Sequence, residues 1–167
     1  GGSKRVHWVK MIEEIAVDLL LVQESYAHHE HLPPLLYPDA RSQSAWEMAE
    51  KNGWGSAVFS RSGSVKPVAV HGYSGWVVGA EIGGASWQAG ITDPLLAFSV
   101  HAPSRGEAYW KQVNKLLDEI KKAAQKTKAD LIAMSTHGRS GFRRWAMGSV
   151  TDKVLQDSAV PVLTIRA

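Results

Sequence analysis

The sequence predicts a mixed α/β fold: a sheet with an antiparallel section, then a parallel strand–helix–strand unit, with helices packed on the sheet. Three observations predict it. Short strand-like runs follow one another without intervening helices between Gly53 and Ser104. One long amphipathic helix follows at Glu107 to Gln125. The tail then alternates strand, glycine loop, helix and strand, an order that gives parallel, right-handed units.

Taken in order, Lys4 to Ala16 carries Trp8, Met11, Ile12 and Ile15 at helical spacing. "DLLLVQE", Asp18 to Glu24, is a short continuous apolar run, as in a strand buried on both faces. Ser25 to Asp39 is rich in His and Pro and reads as loop. Ser44 to Lys51 reads as a short helix with Ala45, Met48 and Ala49 inward and Asn52-Gly53 as its stop. "GSAVFSRSG", "KPVAVHGYSG", "GWVVGAEIGG" and "PLLAFSVHAPS" are the antiparallel strands. In the long helix, Tyr109, Val113, Leu116, Leu117, Ile120, Ala123 and Ala124 form the apolar stripe, and Lys111, Lys115, Lys121 and Lys122 face water. "ADLIAMS", Ser149 to Gln156 and "VPVLTIR" complete the tail.

The 167 residues are 44% hydrophobic and 21% charged, enough apolar material for a real core. A net charge of +3 is too small to argue nucleic-acid binding by itself. The absence of cysteine excludes disulfides and thiolate metal sites. No apolar run reaches the roughly 18 residues that span a bilayer, so a soluble cytoplasmic protein with no membrane partner is expected. Gly1-Gly2-Ser3 reads as a cloning remnant. The seven tryptophans read as core packing rather than as base-stacking surfaces. His28, His29 and His31 stand in a loop without a second ligand set, which argues against a transition-metal site.

"DLLLVQES", "GWGSAVFSRSG", "LLAFSVHAPS" and "YWKQVNKLLDEI" occur in the order and spacing of the endonuclease/exonuclease/phosphatase superfamily. Residues 4–120 resemble its N-terminal half. The resemblance implies that Glu24 matches the family's Mg²⁺ ligand and that His101 lies at a second strand end lining the site. A carboxylate there is a hard oxygen ligand for Mg²⁺, which neutralises charge on a scissile phosphate. The chain lacks the family's opening Asn, its Asp-x-Asn motif and its C-terminal Asp-His pair. With no base to activate water, Glu24 and His101 are expected to be vestigial and the chain is not expected to be an enzyme. A Mg²⁺-dependent phosphodiesterase is an alternative.

Within the segment 129–167, "ADLIAMSTHGRSGFRRWAMGSVTDKVLQDSAVPVLTIR", Ala129 to Arg166, resembles the universal stress protein family. Its nucleotide-binding members carry Gly-x-x-Gly, nine residues, then Gly and Ser or Thr. Gly138 is here the second glycine, Arg139 to Met147 are the nine, and Gly148-Ser149 close the motif. Ser135 replaces the first glycine. The resemblance implies a phosphate or nucleotide site at Ser135, Gly138, Arg139, Ser140, Gly141, Gly148 and Ser149, with ATP as ligand. The loop chemistry agrees: glycines permit special backbone shapes, and Ser149 can cap a helix whose amides attract anions. Arg139, Arg143, Arg144 and Lys153 against Asp152 add positive charge. The equal alternative is a loop that only shapes a crossover.

One domain over 4–167, with a seam at about 119–129, accommodates both resemblances, because one helix serves both patterns. The expectation is a chimera of two family fragments, of laboratory or gene-fusion origin. It has no complete active site and at most weak phosphate or nucleotide affinity, with no required cofactor. An ATP-binding universal-stress-protein-like module is the alternative. Open sheet edges also favour a strand-exchanged homodimer.

Overall fold

The computed structural model describes residues 8–49, 53–86, 89–90, 94–101, 109–128, 132–136 and 154–166. The expected mixed α/β class is what the chain adopts. It divides into two compact units, Gly1–His101 and Ala102–Ala167.

Among the described residues, the first unit opens with a helix. Residues 8–10 are α-helical and continue into a π-helical turn, α1 (Met11–Ile15). Ala16 ends it in a left-handed conformation, φ 52°. Arg61 secures that end: its Nη2 donates to Ile12 O and its Nε donates to Val17 O at 3.3 Å. A cation on the last carbonyls of a helix meets both their unmade hydrogen bonds and their partial negative charge.

Six strands form two antiparallel sheets. β1 (Leu19–Ser25), β3 (Gly55–Ser60) and β2 (Ser44–Met48) lie in the order β1-β3-β2. β4 (Ser64–Val68), β5 (Val77–Gly83) and β6 (Leu95–Val100) lie in the order β4-β5-β6. The antiparallel section expected from the Gly-rich strands is therefore present.

Strand alternation explains the layering. Val58 of β3 joins Ala45, Val65, Val78, Ala80, Ile82 and Ala97 in the core between the sheets. Its neighbours Ala57 and Phe59 point the other way, into a second core with Trp8, Ile12, Leu32 and Ala40. β3 is thus covered on both faces and every one of its residues is buried.

Three local expectations need correction. The Asp18 to Glu24 run does not form a doubly buried strand: β1 is an edge strand, and Leu21 remains 39% exposed. Ser44 to Lys51 is not a helix where described. Ala45, Met48 and Ala49 match helical spacing, but β3 has a second edge to satisfy, and β2 pairs along it from Ser44↔Phe59 to Met48↔Gly55. Tertiary pairing overrides a weak local pattern. Gly55 permits that pairing, since a Cβ there would meet Glu47 O at 1.7 Å. Finally, the His-rich loop contains a one-turn helix, α2 (His28–His31). His28 is buried, its ring edge-on to Trp8, and its Nε2 bonds to Ser44 Oγ and to Ala40 O. Burial commits it to packing, and among the described residues no group of three or more His, Asp or Glu gathers that could hold a metal.

Among the described residues, the second unit opens with α3 (Tyr109–Thr127), where a helix was expected over Glu107 to Gln125. Leu116, Leu117 and Ile120 are its buried stripe; Lys111, Lys115 and Lys122 are exposed as expected, whereas Lys121, expected to face water, is partly covered. Lys128 stops it at φ 53°. The helix runs unbroken through residues 119–127. β7 (Ile132–Thr136) and β8 (Val162–Arg166) then pair in parallel, from Ile132↔Val162 to Thr136↔Arg166. Residues 154–157 between them are helical, α4. This is the parallel strand–helix–strand order anticipated for the tail. Lys121 of α3 pairs with Asp157 of α4 at 3.3 Å. Among the described residues no helix is long and apolar enough to cross a membrane.

Candidate functional site

Two places carry the residues singled out in the sequence, one in each unit.

In the first unit, β1 and β6 end side by side. Ser99 Oγ donates to Val22 O at 2.9 Å, and Gln23 Nε2 donates to Val100 O at 2.6 Å. These bonds fasten an edge of one sheet to an edge of the other. They bring Glu24 and His101 together, with Nε2 of His101 3.4 Å from Oε1 of Glu24. The carboxylate side chain is 65% exposed and the imidazole 23%.

The backbone at Glu24 is unusual. Val22 faces Ala57 and Ser25 faces Gly55, so Gln23 and Glu24 together oppose the single residue Ser56. This is a β-bulge, and Glu24 absorbs it at φ 51°. Bulges re-aim side chains at strand ends, and here the side chain aimed outward is the candidate carboxylate. Across from the bulge, Ser56 Oγ is buried with no hydrogen-bond partner among the described residues.

His101 is held by two tryptophans. Trp76 stacks on it with centroids 5.5 Å apart, and Trp54 meets it edge-on at 5.4 Å. Trp54 and Trp76 are perpendicular at 5.3 Å. His101 N also donates to Trp76 O at 2.7 Å. The ring therefore has little rotational freedom, and its Nε2 is directed at Glu24. An oriented imidazole beside a carboxylate can exchange a proton or join a carboxylate in holding a cation. Trp54, Trp76 and Gln23 were missed as site residues. Their signal lay in position, since both tryptophans stand just before a strand, in "GWGSAVF" and "SGWVVGA".

In the second unit, Ser135 lies in β7 and pairs in register with Ile165. Gly138, Arg139, Ser140, Gly141, Gly148 and Ser149 lie outside the described residues. What the structure supplies is their frame: a strand ending at Thr136, a helix at 154–157 and a parallel return strand. In open parallel sheets, ligands bind beyond the carboxyl ends of the strands. The sequence from Gly138 to Ser149 leaves β7 at that end.

Comparison with known proteins bears on this second unit. The universal stress protein family model matches residues 115–166. One relative is "Universal stress protein MJ0531" of Methanocaldococcus jannaschii, 43% identical over 49 residues, covering 29% of this chain and 29% of the relative. Another is a universal stress protein of Mycolicibacterium smegmatis, 37% identical over 59 residues, covering 35% of this chain and 16% of the relative. The chain thus spans less than a third of the length of the curated relatives it matches. No solved structure matches. The C-terminal part of the chain is similar to universal stress proteins, and the match takes in most of α3 as well as the tail.

Proposed function

We propose that residues 102–167 act as a universal-stress-protein-like module that binds the phosphates of a nucleotide such as ATP at the Gly138–Ser149 loop. The observation that carries the proposal is the parallel pairing of β7 with β8 inside the matched segment. The loop sequence follows β7 in the chain, and in such sheets ligands bind beyond the carboxyl ends of the strands. The loop residues offer donors and positive charge: glycine amides, the Ser149 hydroxyl and Arg139. That donor set suits an anion. Ser135 in place of the family's first glycine lowers the expected affinity. Titration calorimetry of the full chain with ATP and Mg²⁺ tests the reading. Saturable binding lost in Gly138→Val and Ser149→Ala supports it; heats of dilution alone reject it.

A second reading rests on the Glu24–His101 pair. It takes the sequence resemblance of residues 4–120 to the endonuclease/exonuclease/phosphatase superfamily as its guide, and in it Glu24 would hold Mg²⁺ beside a phosphodiester. Hydrolysis of a chromogenic phosphodiester with Mg²⁺ decides it. Turnover no higher than in Glu24→Ala ends it.

We also infer that the segments before and after residues 119–129 have different origins, and that the two compact units fold independently. They should then melt separately. Two calorimetric transitions agree with this; one transition with equal calorimetric and van't Hoff enthalpies contradicts it.

A further inference from the structure

The net charge of +3 conceals a division. Residues 102–167 hold 12 Lys and Arg against 6 Asp and Glu, whereas residues 1–101 hold 7 against 10. The first unit is acidic and the second strongly basic. Such asymmetry within one chain points to a polyanionic partner for the basic part.

The excess is organised on α3. Lys111, Lys115, Lys122 and Lys126 are all exposed. Their spacings of four, seven and four residues return to the same side of a helix, within an arc of about 60°. The row is about 22 Å long at the helical rise. Lys122 pairs with Glu119 at 2.7 Å, and Lys111, Lys115 and Lys126 make no ion pair among the described residues. The opposite side of the helix is closed, with Leu116, Leu117 and Ile120 buried.

We propose that this lysine row is a docking surface for the phosphate backbone of a nucleic-acid duplex, read without base specificity. A row of cations whose spacing is set by one helix suits the regularly spaced phosphates of a duplex. Asp118 and Glu119 flank the middle of the row, so it presents two pairs of cations with a gap. Lys115 and Lys122 are separated by about 10 Å along the axis. That distance is close to the ~12 Å width of a major groove, across which phosphates flank a gap. A membrane surface fits less well, because the apolar stripe that would enter the interface is already buried. The surface lies on α3 and is independent of the nucleotide reading at Gly138–Ser149.

The test is fluorescence anisotropy of a labelled 20-base-pair duplex with the full chain over a range of salt. Four phosphate contacts give a log–log salt slope of about −3.6, or about 150-fold weaker binding from 50 to 200 mM salt. Lys111→Gln with Lys115→Gln should reduce the slope by about 1.8, as should Lys122→Gln with Lys126→Gln. Gln keeps helix propensity, and unchanged circular dichroism verifies the fold. Absence of binding at 50 mM salt overturns the proposal. So does a slope unchanged when all four lysines are replaced by Gln, which would assign binding to other cations. Sedimentation with phosphatidylserine vesicles in the absence of duplex binding also overturns it, in favour of a membrane surface.

Discussion

Nε2 of His101 stands 3.4 Å from Oε1 of Glu24, and Glu24 reaches that position only through a left-handed backbone at φ 51°. A non-glycine residue there carries strain of about 1 kcal/mol. The contact with His101, made by a carboxylate that is 65% exposed, returns about 0.2–1 kcal/mol at most. Glu24→Gly should therefore be more stable than Glu24→Ala by about 1 kcal/mol, since both lose the pair and only Gly relieves the backbone. Urea unfolding followed by tryptophan fluorescence measures this. Equal midpoints would show that the bulge is unstrained.

Ser56 faces that bulge with a buried hydroxyl that has no hydrogen-bond partner among the described residues. Desolvating a hydroxyl without replacing its hydrogen bonds costs about 1–3 kcal/mol. Ser56→Ala should raise the stability of the first unit by about 1 kcal/mol. A loss of that size would reveal a hydrogen bond at Ser56.

Arg61 holds the end of α1 through Ile12 O and Val17 O. The side chain is exposed, so the loss in Arg61→Ala should be near 1 kcal/mol rather than the larger values of buried charged hydrogen bonds. Amide exchange should quicken at residues 8–15 and stay unchanged in β5. Uniform quickening would mean that α1 opens only with the whole unit.

Tyr37 adds a dependence on alkaline pH. Burial, and then the hydrogen bond and negative charge of Glu13, raise its pKa above 10.0, with Arg61 opposing. The folded state therefore holds this proton more tightly than the unfolded chain does. The associated stability is fully present below pH 10 and is lost as pH rises through the folded pKa. Stability should fall more steeply above pH 10 in the native chain than in Tyr37→Phe. Parallel curves would contradict this.

Ser135 occupies the place of the first glycine in the nucleotide-binding pattern. If the loop binds ATP, Ser135→Gly should tighten binding by about 1 kcal/mol, or about fivefold. Unchanged or weaker affinity would mean that this residue does not limit phosphate approach.

How much of this was legible in the sequence varies by element. β5 and β6 were readable because short apolar runs stood between Gly and Pro signals. The parallel pairing of β7 with β8 followed from chain order alone. β2 was not legible: its residues satisfy helical spacing as well as strand alternation, and the choice belongs to the open edge of β3. The exposure of β1 was hidden for a similar reason, because an apolar run does not say which strand forms an edge. At the candidate site, chemistry marked Glu24 and His101 at strand ends. The bulge that turns Glu24 outward leaves no local signature. Trp54 and Trp76 had an ordinary explanation in packing, and only the joining of two strand starts beside His101 gives them a role in orienting its ring.

The central claim is that the second unit meets nucleotide phosphates through the loop after β7. Amide chemical shifts of the ¹⁵N-labelled full chain, titrated with ATP and Mg²⁺, test it most directly. The account predicts saturable shifts concentrated at Ser135 and at Gly138 to Ser149, abolished by Gly138→Val. Shifts centred instead on Glu24, Trp54, Trp76 and His101, or none at millimolar ATP, would contradict it.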